Sequence, residues 1–533
     1  MKSKNRADLC IAQGALTNSK RPESFIGGVY PTHADWGKGS TLSCDKKIFI
    51  DFICGLGSNL MGYGNPLLLD TLVDRYKRGA TLSLSSVEEL DCAEKLKSIF
   101  PFTDLWKFGK NGSDVCMAAI RCARTYHGVR YENETMYSLQ GNPELQSISQ
   151  GQNKKDWHTR ALQVLCEDIY AITKNCRDSS NIPEEIPENS PRISSGKTKE
   201  GEELKVRNKQ GERQNKLFDK DWKVNEDALR KMWEHASSRA SHELQRPNGD
   251  NVVMPRSSRT GSPRVIVLSD GYHGVWDGFI GLSEPRCGVI KDPYIYRLTG
   301  NEHLIKDAAA VIIEPVELDY SKDRFNYLKH LRAECTKHGT LLIFDEIITG
   351  FRFKGLSVSN YFGVRPDIVL IGKAMGGGLP ISAMGGKKEI MNCGEYFYSG
   401  TFFGETCAMA LCIKTIDLLH DARNKYNIDE LWTHGQAFLD KFNSFTDKLK
   451  IVGYPTRGSF QGDELFKALF WQETCKAGIL FGPSWFYNFD HIDASEIVLH
   501  ACKDIVMRIN SGLVKLEGKM PESPFSAKMR GQK

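Results

Sequence analysis

Two stretches decide how this chain is read: TLLIFDE (340–346) and DIVLIGK (367–373). Each is a near-continuous apolar run closed by charge, Asp345 with Glu346 in the first and Lys373 in the second. Strands buried on both faces read this way, and functional groups collect at their carboxyl ends. Two earlier runs, RVIVLSD (264–270) and AAVIIEP (309–315), have the same form. From about residue 100 onward such runs alternate with amphipathic segments, which predicts βαβ units: an α/β fold whose mostly parallel sheet is flanked by helices. Between the two deciding runs, a Gly-bearing turn and FRFKGLSVSNYFGVRP (351–366) leave room for a crossover lying across the cleft.

Further out, the chain from Ile413 onward reads as helices with a few strands. It is expected to share a smaller α+β domain with the N-terminus, residues 1–64 and 386–533, beside a large domain at 65–385. A polar insertion at 131–262 interrupts the large domain: Asn, Gln, Ser, Lys and Glu dominate, and apolar periodicity nearly vanishes between Cys176 and Leu217. Two helices are predicted within it. KKDWHTRALQVLCEDIYAI (154–172) aligns Trp157, Ala161, Leu165 and Ile169, and WKVNEDALRKMW (222–233) aligns Trp222, Leu229 and Trp233. The insertion follows a helix and precedes a strand, so it should leave the sheet at the edge opposite the strand carboxyl ends, away from any site there.

Composition narrows the class of protein. With 40% hydrophobic and 26% charged residues, the 533-residue chain is of ordinary soluble globular type. A net charge of +5 from 71 basic and 66 acidic residues makes no electrostatic case for nucleic-acid or membrane partners. Fifteen scattered cysteines without a CxxC pair argue against a disulfide framework and for a reducing, cytoplasmic setting. The basic, polar N-terminus lacks a signal peptide's apolar core, and no run reaches the roughly 18 apolar residues of a membrane span.

The strand ends suggest a particular chemistry. A pyridoxal phosphate (PLP) ring acts as an electron sink while its nitrogen is protonated, and a buried carboxylate is the partner that keeps it so. Asp345 can supply it, although a strand-ending Asp can also cap a helix or bind metal. Lys373 opens the glycine-rich GKAMGGGLP (372–380), where partial desolvation favours a neutral, nucleophilic amine; a phosphate-binding lysine is the alternative. A phosphate calls for backbone N–H groups at a helix start, and GKNGSDVCMAAIRCART (109–125) offers Gly112, Ser113 and Asp114, equally readable as an ordinary cap. In SDGYHG (269–274), Tyr272 can cover the ring, with His273 beside it. No metal site is expected.

Taken together, these motifs resemble the class III aminotransferases of PLP-dependent transferase fold type I, and most nearly the glutamate-1-semialdehyde 2,1-aminomutase-like branch. The resemblance rests on NGSDVCMAAIRCAR (111–124), GYHGVWDGF (271–279), IIEPV (312–316), LLIFDEIITGFRF (341–353), GKAMGGGLPISAMGG (372–386) and SGTFFGETCAMA (399–410), in the family's order. It extends more weakly into 47–66 and 476–494 and leaves out the insertion. It implies that Lys373 carries pyridoxal 5'-phosphate as a Schiff base and shuttles the substrate proton, that Asp345 pairs with the ring nitrogen, and that Tyr272 stacks on the ring. It further implies phosphate binding by Gly112, Ser113 and Asp114 with Thr401 of the opposite subunit, hence a homodimer with shared sites. Ile348 stands where many ω-amino-acid members place a Gln, which is similar to the aminomutase-like branch. Glu405 and Thr406 depart from the usual small-Asn-Pro stretch and bear on the substrate entrance.

The activity so implied is transfer of an amino group between an amino donor and an aldehyde or ketone. The alternative is an intramolecular aminomutase using the same residues; a non-catalytic scaffold relative is a third reading. Arg352 and Arg457 are candidates either to hold a substrate carboxylate or to brace domain contacts.

Overall fold

The computed structural model describes residues 2–12, 15–128, 262–268, 271–280, 282, 289, 291–298, 302–421 and 423–522. The helices expected at 154–172 and 222–233 lie outside the described residues.

Seven strands form the main sheet: β1 Leu105–Gly109, β2 Val265–Leu268, β3 Ile295–Leu298, β4 Ala310–Ile313, β5 Leu341–Glu346, β6 Ile368–Ile371 and β7 Ser382–Gly386. Their order in space is β1-β7-β6-β5-β4-β2-β3. The five neighbours from β6 to β3 run parallel, whereas β7 is antiparallel to both β6 and β1. The four runs read from the sequence are β2, β4, β5 and β6, every residue of which is buried. The fold is α/β, as expected.

Burial on both faces explains why these runs are apolar without alternation. Ala310, Ile312, Leu341, Ile343, Ile368 and Leu370 pack on one side of the sheet; Val311, Ile313, Leu342, Phe344, Val369 and Ile371 pack on the other. Each large side chain so buried contributes roughly 1.5–3 kcal/mol. A pleated strand sends successive side chains to opposite faces, so neither face tolerates a polar position until the strand ends.

Helix α1, Gly112–Tyr126, covers the first face with Val115, Cys116, Ala119, Ile120 and Ala123, all fully buried. In the last turn of α1, Arg124 Nε donates to the Pro263 carbonyl at 2.8 Å, so the two flanks of the insertion meet near the amino end of β2. Helix α2, Lys322–His338, connects β4 to β5; Ser321 caps its start, and Gly339 ends it in the left-handed region at φ 69°. The crossover from β5 to β6 carries a 3-10 turn, Lys354–Leu356, and the short helix Val358–Phe362.

N- and C-terminal segments meet in a four-stranded sheet of Trp36–Lys38, Thr41–Cys44, Lys47–Asp51 and Ile479–Leu480. Its last pairing, Ile479 with Ile50 and Leu480 with Asp51, is parallel and joins the two ends of the chain. A three-stranded sheet, Leu449–Tyr454, Arg457–Gly462 and Ser484–Phe486, lies among C-terminal helices.

Candidate active site

β5 and β6 run in register with Asp345 opposite Leu370 and Glu346 opposite Ile371, so Asp345 and Lys373 stand at neighbouring carboxyl ends. The Asp345 carboxylate is 3% exposed. Its Oδ2 accepts from His273 Nδ1 at 2.7 Å and from the Cys116 thiol at 3.6 Å; its Oδ1 accepts from the Ile347 N–H at 3.1 Å. A carboxylate only accepts, so Nδ1 of His273 bears the proton in this pair. Nε2 of the same ring is buried without a protein partner.

Glu346 points the other way, as the strand pleat requires. It is fully buried and accepts from the N–H groups of Val358 and Ser359 at 2.6 and 3.0 Å and from Thr349 Oγ1 at 3.2 Å. Burial pushes its carboxyl up and these donors oppose the rise. Of the paired acids FDE, one faces the site and the other holds the crossover in place.

Lys373 is half-buried and sits in the left-handed region at φ 44°, a conformation that costs a non-glycine residue energy and recurs at functional positions. Burial above all, and then the charge of Arg457, pulls its amine down to about 8, while Glu314 and Asp345 act in the opposite direction. The effect is a larger neutral, nucleophilic fraction than a surface lysine has.

At the start of α1, the Asp114 side chain accepts from the N–H groups of Lys110 and Asn111 at 3.0 and 2.7 Å. Oδ2 of Asp114 is thus spent on the cap, and its own N–H donates to the Asn111 carbonyl at 3.1 Å. Ser113 Oγ accepts from the Val275 N–H at 3.0 Å, which draws the loop after β2 onto the helix start. Gly274 makes that approach possible: it has φ 98°, and a Cβ there would lie 2.4 Å from Ser113 Oγ. Gly112 packs against Ile347, and Ile348 is half-buried. Tyr272 donates its N–H to Glu314 Oε1 at 2.8 Å and leaves its ring 47% exposed. Thr401 is exposed in a turn.

The two arginines separate. Arg352 is fully buried, donating through Nη1 to the carbonyls of Thr456 and Tyr487 at 3.3 and 3.2 Å and through Nη2 to that of Gly57 at 2.7 Å. It braces segments. Arg457 lies 3.6 Å from Glu314 Oε2 and has a buried Nη1 without a hydrogen bond, within electrostatic reach of Lys373.

Three residues around the site escaped the sequence reading of roles: Cys116 on Asp345, Glu346 as a structural acid, and Glu314 beneath Tyr272. Cys116 has only the signal of falling one turn after Ser113; Glu314 directly follows β4, an acid at a carboxyl end as Asp345 is in β5.

These groups fit a flat heteroaromatic carbonyl compound with a phosphate tail. A buried carboxylate stands ready for a ring N–H, an amine of lowered basicity for a carbonyl, and a helix start with a serine for the phosphate.

Residues 292–484 match the family described as Aminotransferase class-III. The chain is 46% identical over 224 residues to the glutamate-1-semialdehyde 2,1-aminomutase of Nitratidesulfovibrio vulgaris (strain DP4), a match over 37% of this chain and 51% of that protein. With the enzyme of that name from Wigglesworthia glossinidia brevipalpis it shares 24% identity over 530 residues, 94% of each. The chain thus spans about half the length of the first curated relatives it matches, 47% and 51%. Among solved structures, the PLP internal aldimine form of the Sphingopyxis sp. MTA144 FumI protein superposes with a TM-score of 0.66 at 15% identity, covering 98% of both chains. An omega-transaminase from Sphaerobacter thermophilus gives 0.61 at 16%, covering 95% of this chain and 97% of that one. At these identities the structural likeness speaks for the fold.

Proposed function

We propose that this chain, a relative of the class III aminotransferases, binds pyridoxal 5'-phosphate and moves an amino group between an amino donor and an aldehyde or ketone. The observation that carries the reading is the pairing of Asp345 with Lys373: a buried, hydrogen-bonded carboxylate and a partly desolvated amine at the carboxyl ends of adjacent parallel strands.

When bound, the cofactor supplies a protonated ring that draws electron density from the substrate α-carbon. Asp345 holds the proton on the ring nitrogen. Lys373 would hold the cofactor through its amine and would move a proton at the substrate α-carbon. Ser113, with the backbone of Gly112 and Asp114, binds the phosphate, joined by Thr401 of the opposite subunit. Tyr272 stacks on the ring, and Glu314 fixes the Tyr272 backbone from below.

A homodimer follows from the shared site. Exposed apolar side chains support it: Leu84, Val87 and Leu90 are exposed by 84, 66 and 63%, next to the segment that carries Phe402 at 60%. Patches of this kind are commonly covered by a partner. A cytoplasmic location accords with twelve free cysteines among the described residues, and no helix there is long and apolar enough to cross a membrane.

The names of the curated relatives favour a second reading, an intramolecular aminomutase that keeps one substrate bound while its amino group moves to the neighbouring carbon. Turnover without any added amino acid or keto acid would select it.

The test is the absorbance spectrum with added PLP, before and after borohydride, for the wild type and Lys373→Ala. A reducible band present only in the wild type, and bleached by an amino donor, is the expected result. A featureless spectrum unaffected by the mutation rules out the proposed chemistry.

A further inference from the structure

We infer that Cys116 is a positioning residue of the cofactor site: with His273 it anchors Oδ2 of Asp345 and leaves Oδ1 to meet the ring nitrogen. The inference rests on the proposed binding of PLP and adds a residue to it.

The argument is one of lone pairs. An ionised carboxylate has about four acceptor sites, two on each oxygen. On Asp345, Oδ2 receives the His273 imidazole at 2.7 Å and the Cys116 thiol at 3.6 Å, which occupies both of its sites. Among the described residues, Oδ1 receives only the Ile347 N–H, at 3.1 Å. One acceptor site is left on the whole carboxylate, and it is on Oδ1. The carboxyl group is thereby turned to a single orientation before any ligand arrives.

Cys116 suits the task because it cannot change charge. Its side chain is fully buried, and burial together with the charge of Asp345 pushes the thiol well up, so it remains a neutral S–H donor. Its position in α1 adds a second function. Ser113 lies one turn earlier in the same helix, so one rigid element touches both the expected phosphate site and the carboxylate that meets the ring. Three residues of helix advance about 4.5 Å, and that fixed spacing sets phosphate and ring-nitrogen contacts relative to each other.

The test compares Cys116→Thr with Cys116→Val, side chains of one shape of which only the first can donate. Two quantities are read: the Kd for PLP, from quenching of tryptophan fluorescence, and the NMR shift of the isotope-labelled ring nitrogen. The expected result is that Val weakens PLP about three- to tenfold, the range of one lost hydrogen bond of ordinary net strength, as suits a weak thiol donor. The ring-nitrogen resonance should also move toward its unprotonated position, while Thr stays near the wild type. Equal behaviour of Thr and Val in both readouts overturns the inference and leaves Cys116 as packing. If the larger pair does not fold, Cys116→Ser and Cys116→Ala are read in the same way. Failure of the wild type to bind PLP is a different result, which removes the proposed function itself.

Discussion

At the scale of single residues, the chemistry of Lys373 has a measurable counterpart in stability. Its folded-state pKa of about 8 lies below the ordinary 10.5, so the unfolded chain binds more protons between those values. Stability of the cofactor-free protein therefore rises with pH across that window, and below it the buried ammonium is a full penalty. Lys373→Met, free of PLP, is expected to be more stable than the wild type at neutral pH by roughly 2 kcal/mol, after allowance for partial exposure. The gain should shrink as pH climbs from about 8 to 10.5, and thermal melts across that range check it. A gain independent of pH would mean that the amine is not desolvated.

Among the elements, the helix Thr406–His420 shows how a departure from a family pattern is accommodated. Glu405 takes over as its N-cap, accepting from the N–H groups of Cys407 and Ala408 at 2.7 and 3.1 Å, and it pairs with Lys110 at 3.0 Å. Thr406 is buried and donates to the carbonyls of Gly79 and Ala80, both at 3.0 Å. Burial works against ionisation of Glu405, but Lys110 and the two capping N–H groups outweigh it and hold the carboxyl below its usual 4.5. Glu405→Ala is expected to cost about 1–2 kcal/mol in urea unfolding at neutral pH. Because the folded pKa is depressed, that contribution is present above 4.5 and is lost as pH falls through the lower folded value. Wild type and variant should therefore converge in acid. A constant difference at all pH values would assign the effect to packing.

For the molecule as a whole, Arg352 ties distant segments together. From the loop after β5 it reaches carbonyls at Gly57, Thr456 and Tyr487, and its own carbonyl accepts from Trp432 Nε1 at 2.7 Å. Its guanidinium also lies over the Phe486 ring at 5.1 Å. Removing it would take the guanidinium donor from the Gly57 and Tyr487 carbonyls, leave that of Thr456 only the Tyr487 N–H, and open a cavity in place of the side chain. Arg352→Ala should lose about 3–5 kcal/mol, as buried large-to-small changes with orphaned polar groups do. Arg352→Lys, with one compact ammonium in place of a planar fork, should recover only part. A loss below about 1 kcal/mol, of surface-mutation size, would show that these segments hold together without it.

Sequence by itself determined four of the seven strands of the main sheet and which residues close them. Near-continuous apolar runs closed by charge have one economical solution, burial on both faces with the charged end emerging at the carboxyl edge, so β2, β4, β5 and β6 and the placing of Asp345 and Lys373 were legible. The glycine at 274 and the serine at 113 were legible as a loop and a helix start, but not as a contact. Partnership across the chain depends on distances that no local pattern encodes. Only the tertiary structure decided that Cys116 and His273 share one oxygen of Asp345, that Glu346 serves the crossover instead of the site, and that Arg352 is a brace while Arg457 sits beside Glu314. The physical reason is that local periodicity reports which face a side chain takes, whereas hydrogen bonds between segments arise only where packing brings two faces together.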